Sequence, residues 1–237
     1  MCRMFGMVAT QAVSPRELLH DAPRSLRALS VEHGDGWGIA LAHGDWQIHK
    51  SISCAARCTA FPAIVDSPAR VVVAHVRKKT VGDLALANTH PFRRGELVFA
   101  HNGTVAALSA LTSQIAPAHL AEIEGDTDSE KLFAFVLTHI DAAGDLERGV
   151  VRAIRALQAL GEIGSANFLL ASDSRVYAYR QGRSLYTLAR DAVAIVASER
   201  LTDEDWIEVP ERALVILGDL DVAAETVRVR SVSGAAH

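Results

Sequence analysis

Residues 127–160 read TDSEKLFAFVLTHIDAAGDLERGVVRAIRALQAL and carry the clearest helical pattern in the chain. Thr127-Asp128-Ser129-Glu130 has the form of a capping box, in which the Thr127 hydroxyl accepts from the Glu130 amide and the Glu130 side chain reaches back. Apolar residues then recur at helical spacing, at Phe133, Val136, Leu137 and Ile140 and again at Leu146, Val150, Ile154 and Leu157. The stretch therefore predicts two consecutive helices, one beginning after Thr127 and one over Asp145–Leu160.

Short apolar runs bounded by turn residues lie on both sides of this helical pair. We expect them to be strands, at Met4–Ala9, Gly38–Leu41, Trp46–Lys50, Val71–Val76, Leu97–His101, Asn167–Ala171, Arg175–Arg180, Ser184–Thr187, Ala192–Ala197, Ala213–Leu217 and Val227–Val232. Asp173-Ser174 and Gln181-Gly182 are suitable turn residues. Pro15–Leu29 has leucines at roughly helical spacing, interrupted by Pro23. Strands, then helices, then strands again favour an α+β layered fold over a doubly wound one.

Length and composition indicate an ordinary globular protein. The 237 residues suit a single domain over 1–237, with a small, polar tail at 230–237 that we expect to fray. Hydrophobic residues make up 49% and the net charge is −4, so nothing favours a nucleic-acid partner. The N-terminus does not resemble a signal peptide, and no apolar run is long enough for a membrane span. We therefore expect a cytoplasmic protein without a membrane partner.

The chain has three cysteines, Cys2, Cys54 and Cys58. This number is too small and odd for a disulfide framework. Cys54 and Cys58 lie four residues apart with His43 and His49 nearby, but a metal site needs three or four converging ligands. We predict no metal site. The sequence has no glycine-rich phosphate loop of the GxxxxGK[ST] kind, and we expect no cofactor.

Cys2 directly follows the initiator methionine, and removal of Met1 would leave its α-amine free. Such an amine has a pKa of about 7.7–8.0, so part of it is neutral near pH 7 and can accept the thiol proton. The resulting thiolate is a strong nucleophile. One residue would then supply both nucleophile and base. The alternative is an inert, buried cysteine at the start of a strand.

Four blocks of sequence occur in a characteristic order along the first half of the chain. They are Met1–Gly6 (MCRMFG), Ala74–Thr80 (AHVRKKT) with Asn88–Phe92 (NTHPF), Ala100–Gly103 (AHNG) and Thr127–Glu130 (TDSE). Together they resemble the class II glutamine amidotransferases, which are N-terminal-nucleophile hydrolases. His33–Ala40 (HGDGWGIA) is similar to the stand-alone branch that includes the YafJ-like proteins and the γ-glutamyl hydrolase of ergothioneine synthesis.

The resemblance implies a four-layer αββα sandwich, in which two antiparallel sheets pack face to face with helices on both outer faces. It implies that Cys2 begins a central strand and attacks the side-chain amide of glutamine or of another γ-glutamyl compound. The oxyanion that forms would be held by the side-chain amide of Asn102 and the backbone N–H of Gly103, each donor typically lowering the barrier by about 3–4 kcal/mol. Taken singly, Asn102-Gly103 could equally be a plain turn.

The resemblance also implies how the substrate's head group is held. Arg77 matches the residue that grips the α-carboxylate, for which a guanidinium fork is well suited, with Thr80 and His90 alongside. Asp128, helped by the Gly103 carbonyl, would accept the α-ammonium. Arg77 could otherwise be a surface charge, His90 a structural loop residue, and Asp128 a residue that only favours a helix N-terminus.

Three further positions are not assigned a role by the resemblance: Lys78, Trp37 and Ser198. Lys78 stands after Arg77 where amidotransferases that feed sugar synthases tend to have an aromatic residue, so the specificity of that branch does not carry over. In Asp35–Gly38 the glycines permit an unusual backbone, and Trp37 either belongs to the core or lines a pocket. Ser198 follows the Ala192–Ala197 run, where relatives often have a small residue, and receives no assigned role.

Three functions remain open at this point. The chain could hydrolyse glutamine through a γ-glutamyl thioester on Cys2, releasing ammonia to water or to a separate synthase partner. It could instead be dedicated to a larger γ-glutamyl conjugate, from which an amine leaves. It could also be a binding module that keeps the fold without the activity, although the presence of Cys2, Arg77, Asn102 and Asp128 argues against this.

Overall fold

The structure, a computed structural model, describes residues 2–218 and 227–232. The strands are β1 Arg3–Val13, β2 Trp37–His43, β3 Asp45–Ser51, β4 Ala69–Val76, β5 Phe92–Arg94, β6 Leu97–Val105, β7 Gly164–Ala171, β8 Val176–Tyr179, β9 Tyr186–Arg190, β10 Val193–Ala197, β11 Ile207–Glu208, β12 Ala213–Leu217 and β13 Val227–Ser231. The α-helices are α1 Leu26–Leu29, α2 Phe61–Asp66, α3 Leu108–Thr112, α4 Pro117–Ala121, α5 Asp128–Ala143 and α6 Leu146–Ala159.

The strands form two antiparallel sheets. The first has seven strands in the order β11-β9-β10-β1-β4-β2-β3, and the second has six in the order β13-β12-β8-β7-β6-β5. The pairing of β1 with β4 is long-range in sequence and places Arg3 opposite Val76 and Phe5 opposite Ala74. β1 and β4 are therefore central strands, and their ends lie away from the sheet edges.

Apolar side chains form three clusters, one between the two sheets and one on the outer face of each sheet. Met4, Val73, Ala100 and Leu169 belong to the cluster between the sheets. Helices α5 and α6 cover the outer face of the second sheet through Phe133, Ile154, Leu157 and their neighbours. Leu18, Leu19, Leu26 and Phe61, from the short helical segments, cover the outer face of the first sheet. The predicted α+β class and its four-layer arrangement are confirmed.

Burial on both faces explains why the central strands are apolar at nearly every position. Side chains alternate between the two faces of a strand. On β1, Met4 and Val8 point into the cluster between the sheets, whereas Phe5 and Met7 point toward the outer helices. The absence of polar alternation in Met4–Ala9 thus reflects two covered faces.

Every strand predicted from the sequence is present, with ends shifted by a few residues. The largest differences are at β1 and β6, which extend four residues beyond their predicted ends, to Val13 and Val105. The very short strands β5 and β11 and the short helices α2, α3 and α4 were not predicted. Each of these elements has six residues or fewer, which is too short for a periodic pattern to be recognised.

The helical predictions need two corrections. Pro15–Leu29 is not one helix but a π-helical turn at Glu17–Asp21 followed by α1, separated around Pro23. The Thr127 hydroxyl caps α5 as expected, at 3.3 Å from the Glu130 amide. The Glu130 carboxylate does not reach back to Thr127, because it accepts from the amides of Glu124 and Gly125 and pairs with Arg94.

The prediction of a frayed tail over 230–237 is wrong for its first three residues. Arg230 and Ser231 belong to β13, where they pair with Leu214 and Ala213, and Val232 is buried against the α5–α6 cluster. Ladder hydrogen bonds and this apolar contact hold residues 230–232 in the sheet. The remainder of the predicted tail, 233–237, lies outside the described residues.

The close crossing of α5 and α6 can be tested at Gly149. A Cβ placed there would lie 2.4 Å from Cα and 2.9 Å from Cγ1 of Ile140. Gly149→Ala should lower the free energy of unfolding by about 1–3 kcal/mol through overpacking, despite the higher helix propensity of alanine. Chemical denaturation measures this. A variant as stable as the wild type would show that the helices do not approach so closely.

Candidate active site

Cys2 lies beside Arg77 and Lys78 because β1 and β4 are adjacent. Arg3 pairs with Val76, so the residues just beyond this pair, Cys2 and Arg77, emerge at the same end of the sheet. The backbone N–H of Lys78 donates to the Cys2 sulfur at 3.4 Å, and the sulfur lies 3.5 Å from the Lys78 carbonyl oxygen. The sequence placed Cys2 and Arg77 in one site; it did not indicate the backbone contact with Lys78.

The start of β1 is anchored by a residue with no assigned role in the sequence-based prediction. The Ser198 hydroxyl accepts from the Met4 amide at 3.1 Å, and the Ser198 amide donates to the Met4 carbonyl at 3.0 Å. Arg3 also pairs with Glu199 at 2.7 Å. These contacts fix the strand directly after Cys2. A small polar residue directly after an apolar strand was the only available signal for Ser198, and Glu199 gave none.

Strand alternation indicates which way the site residues face. On β4, Val71 and Val73 belong to the cluster between the sheets, so His75 and Arg77 continue that face toward the strand end. Cys2 lies two residues before Met4 and therefore faces the same side of the sheet. On β6, Val98 and Ala100 point into the same cluster, which gives Asn102 an inward direction too. Cys2, Arg77 and Asn102 thus point into the space between the two sheets.

The Cys2 thiol is partly buried. Burial raises the pKa of this thiol, and the opposing effects of the Lys78 amide and the nearby Arg77 and Arg3 charges only partly offset the rise. Desolvation penalises the thiolate more than the neutral thiol. At neutral pH the sulfur is therefore protonated, and a base must remove its proton before it can act as a nucleophile.

Arg77 is almost fully buried, at 3% exposure, and its guanidinium is held by the loop that follows it. Nη1 donates to the Asp83 carbonyl at 2.9 Å, and Nη2 donates to the Val81 carbonyl at 3.0 Å. A further contact, to the Gly82 carbonyl, is longer at 3.5 Å. A guanidinium has five N–H donors, so further donors remain for a carboxylate. The surface-charge interpretation of Arg77 is wrong.

The segment before β2 holds the Arg77 backbone in place. The Arg77 amide donates to the Gly36 carbonyl at 2.8 Å, and the Arg77 carbonyl accepts from the Asp35 amide at 3.0 Å. The Asp35 carboxylate accepts from the Lys79 amide at 2.8 Å. Trp37 is buried and packs edge-to-face against Phe61, with 5.1 Å between the ring centroids. Of the two interpretations of this stretch, the core tryptophan is correct.

Asn102 and Gly103 lie at the end of β6, within the strand and not in a turn. Asn102 is 4% exposed, and its side-chain oxygen has no hydrogen-bond partner among the described residues. A Cβ on Gly103 would lie 2.0 Å from the Ser165 carbonyl oxygen on the neighbouring strand. Only glycine fits here, and the reason visible in the structure is strand packing. The plain-turn interpretation is wrong.

Asp128 is the first residue of α5 and is buried. Its carboxylate accepts from the Val105 amide at 2.8 Å, which ties the end of β6 to the helix. No hydrogen bond within residues 2–218 joins Asp128 to Cys2 or Arg77. The structure therefore places Asp128 at the N-terminus of α5, as expected, and beside the strand that carries Asn102.

The remaining two predicted residues differ in their surroundings. Thr80 is exposed on the loop after Arg77. His90 is buried, and its ring centroid lies 4.3 Å from that of His75 and 4.4 Å from that of Phe92. Burial lowers the pKa of His90 well below its ordinary range, so the ring is neutral. His90 thus forms part of the wall between the sheets, in line with its alternative role as a structural residue.

A side cavity of about 380 Å³ lies beside Lys78. Lys78, which contacts the Cys2 sulfur, also lines this cavity, together with Gly34, Asp35, Cys54 and Arg57. Cys54 donates to the Ser30 carbonyl at 3.2 Å. Among the described residues, no group of three or more His, Cys, Asp or Glu side chains is arranged to hold a metal.

The layers and the position of Cys2 define the class. Two face-to-face antiparallel sheets between helices, with a candidate nucleophile at the start of a central strand, form the sandwich of the N-terminal-nucleophile hydrolases. The family model for glutamine amidotransferases of class II matches residues 1–192. The chain belongs to the class II glutamine amidotransferase family, as the four sequence blocks predicted.

Curated relatives agree with this assignment. A putative glutamine amidotransferase of Haemophilus influenzae is 26% identical over 265 residues, covering 96% of this chain and 87% of the relative. The putative glutamine amidotransferase YafJ of Escherichia coli is 32% identical, covering 73% of this chain and 69% of the relative. An uncharacterized protein of Methanocaldococcus jannaschii is 28% identical, and the match spans only 59% of that longer protein.

Solved structures share the fold at lower identity. A class II glutamine aminotransferase domain protein of Silicibacter pomeroyi has a TM-score of 0.68 at 18% identity, covering 98% of this chain and all of that chain. Glutamine phosphoribosylpyrophosphate amidotransferase of Bacillus subtilis has a TM-score of 0.74 at 20% identity, with 98% of this chain matching 49% of that one. No helix within residues 2–218 and 227–232 is long and apolar enough to cross a membrane.

The buried histidines make stability depend on pH. Burial lowers the pKa of His75 to about 3 and that of His33 to about 4, whereas an unfolded histidine has a pKa of about 6.5. Below that value the unfolded chain binds protons that the folded chain refuses, so stability falls as the pH drops from about 6.5 toward these folded values. Above about 6.5 the contribution of these histidines is constant.

We predict that His75→Gln flattens this dependence. The loss of stability between pH 7 and pH 5, measured by urea denaturation, should shrink by about 2 kcal/mol in the variant, because one buried histidine no longer titrates. His43→Gln changes an exposed histidine and should leave the loss as in the wild type. An unchanged loss in His75→Gln would show that His75 is not held neutral by the fold.

Proposed function

We propose that the chain is a glutamine amidohydrolase in which Cys2 is the nucleophile and, once Met1 has been removed, its own α-amine is the base. The observation that carries the proposal is the half-buried Cys2 sulfur within 3.4 Å of the Lys78 amide, next to the Arg77 guanidinium. Burial keeps the thiol protonated, so it needs a base. The α-amine of the same residue is a suitable one because its ordinary pKa lies near neutrality.

The proposed reaction is an acyl transfer in two halves. The amine takes the thiol proton, and the sulfur attacks the amide carbon to form a tetrahedral oxyanion. The carbon–nitrogen bond then breaks, and the leaving nitrogen takes the proton from the Cys2 ammonium, so ammonia departs and a γ-glutamyl thioester remains. Water attacks the thioester with the amine again as base, which releases glutamate and restores the thiol.

The other site residues take the roles that their surroundings support. Asn102 faces the space between the sheets with a buried side-chain amide and, with the Gly103 N–H, would hold the oxyanion. The remaining N–H donors of Arg77 would take the α-carboxylate, with Thr80 and His90 alongside. Asp128, with the Gly103 carbonyl, would accept the α-ammonium.

The side cavity favours a second candidate, hydrolysis of a larger γ-glutamyl amide. A cavity of about 380 Å³ beside Lys78 exceeds what a leaving ammonia requires and could hold an amine substituent. Comparing ammonia release from glutamine with amine release from a panel of γ-glutamyl amides separates the two. A higher kcat/KM for an amide would favour the second candidate, and a higher value for glutamine would favour the first.

We further propose that residues 1–237 act as one domain and that released ammonia goes either to water or to a separate synthase. The family membership supports glutamine as the nitrogen source. A synthase partner would appear as incorporation of glutamine-derived nitrogen into a third compound in the presence of the partner.

Cys2→Ala should abolish turnover and leave the fold intact, because the sulfur is the only proposed nucleophile. Ammonia release from glutamine and thermal unfolding measure the two effects. Cys58→Ala provides the matched control, since Cys58 is a half-buried cysteine outside the site, and it should keep wild-type activity. Turnover by Cys2→Ala, or by a chain shown by intact mass to retain Met1, would end the proposal.

Labelling with diazo-oxo-norleucine, a glutamine-mimicking electrophile, locates the nucleophile independently. Intact mass should show loss of Met1 and one adduct, and peptide mapping should place the adduct on Cys2. An adduct on Cys54 or Cys58 would contradict the assignment.

Arg77→Lys should raise KM at least about tenfold with a smaller change in kcat, because an ammonium is a point charge and cannot replace the fork. Lys79→Ala removes an exposed charge two residues away, which pairs with Asp83 at 3.7 Å. It should leave KM near the wild-type value. A wild-type KM in Arg77→Lys would remove Arg77 from the substrate site.

A further inference from the structure

A large cavity lies far from Cys2. Its volume is about 990 Å³, and residues of α6, the β7–β8 turn, β13, the middle of β1 and the start of β4 line it. Val8 lines it and lies six residues beyond Cys2 on an extended strand, so at about 3.3 Å per residue the two are about 20 Å apart. We call this cavity the distal groove.

Arginines dominate the lining of the distal groove. Six of them come from four different parts of the chain, namely Arg70, Arg148, Arg152, Arg155, Arg175 and Arg230. The groove also contains two carboxylates, Asp145 and Glu147. The net charge of these lining residues is therefore four positive, whereas the whole chain carries −4.

The two carboxylates are already engaged. Glu147 pairs with Arg230 at 3.0 Å, and Asp145 lies 3.6 Å from the Arg148 guanidinium while it caps α6 through the Arg148 amide at 2.8 Å. Within residues 2–218 and 227–232, no carboxylate lies within ion-pair distance of Arg70, Arg152 or Arg155. Arg70, Arg152 and Arg155 thus bring to the groove positive charge that no carboxylate of the described residues neutralises.

An exposed row of arginines on a helix is commonly just a solvated face, and α6 alone would fit that description. Arg148, Arg152 and Arg155 follow helical spacing on its outer side. What differs here is that Arg70 on β4 and Arg230 on β13 line the same concavity. Like charges brought together in a cleft repel each other, and such a cleft concentrates anions.

We propose that the distal groove binds an organic phosphate of nucleotide size. Guanidinium groups match phosphate oxygens in bidentate geometry, and four net charges suit a ligand with two or more phosphates. The volume lies at the upper end of the range for small-molecule sites and is far larger than inorganic phosphate requires. Val8, Leu146 and Val151 provide apolar wall for the organic part of the ligand.

Isothermal titration and thermal unfolding test the proposal on the full chain, with ATP, pyrophosphate and adenosine as probes and EDTA present so that metals do not mask phosphate charge. ATP should bind and raise Tm, pyrophosphate should bind more weakly, and adenosine should not bind. The double variant Arg152→Gln/Arg155→Gln should weaken ATP binding at least about tenfold. Both side chains are exposed, so the unliganded Tm should change little; Arg152→Gln alone serves if the pair does not fold.

The matched control is Arg16→Gln/Arg200→Gln, which removes the same charge from exposed or half-exposed arginines outside the groove. It should bind ATP as the wild type does. If ATP binding weakened equally in both double variants, the effect would come from the net charge of the protein and not from the groove, and the proposal would be overturned. Absence of ATP binding, or tighter groove-dependent binding of a single-stranded oligonucleotide than of ATP, would also overturn it.

Discussion

The antiparallel pairing of β1 with β4 is the constraint on which the site depends. It sets Arg3 against Val76 and so brings the second residue of the chain to the segment that begins with Arg77, about 75 residues later in sequence. Apolar contacts on both faces of these strands hold the pairing, and the Ser198 hydroxyl fixes the Met4 amide at 3.1 Å. A register shift by one residue would turn Cys2 toward the other face of the sheet.

Electrostatics and packing act together around this pair. The same burial that raises the pKa of the Cys2 thiol also keeps His75 and His90 neutral. A low-polarity wall of this kind strengthens the hydrogen bonds that donors such as the Asn102 amide can offer to developing charge. In the proposed reaction the sulfur also depends on a nearby base, the α-amine that removal of Met1 would free.

Apolar runs, turn residues and the α5 cap are local signals, and they indicated the α+β class and most strands, whereas the four-layer arrangement followed from the family resemblance. The sequence could not indicate how Arg77 is held, since its partners are backbone carbonyls at positions 81–83 that carry no side-chain signature. Ser198 and Glu199 act on β1 from the other end of the chain, so only the tertiary structure reveals them. The arginines of the distal groove are likewise scattered in sequence, from Arg70 to Arg230, and converge only in the folded chain.

The central claim is that Cys2, Arg77 and Asn102 share one glutamine site between the sheets. A crystal structure of the processed Cys2→Ala protein with glutamine tests it most directly. The account predicts the α-carboxylate against the Arg77 guanidinium and the side-chain amide oxygen near Asn102, with its amide carbon facing residue 2. Glutamine bound elsewhere, or no glutamine at saturating concentration, would contradict it.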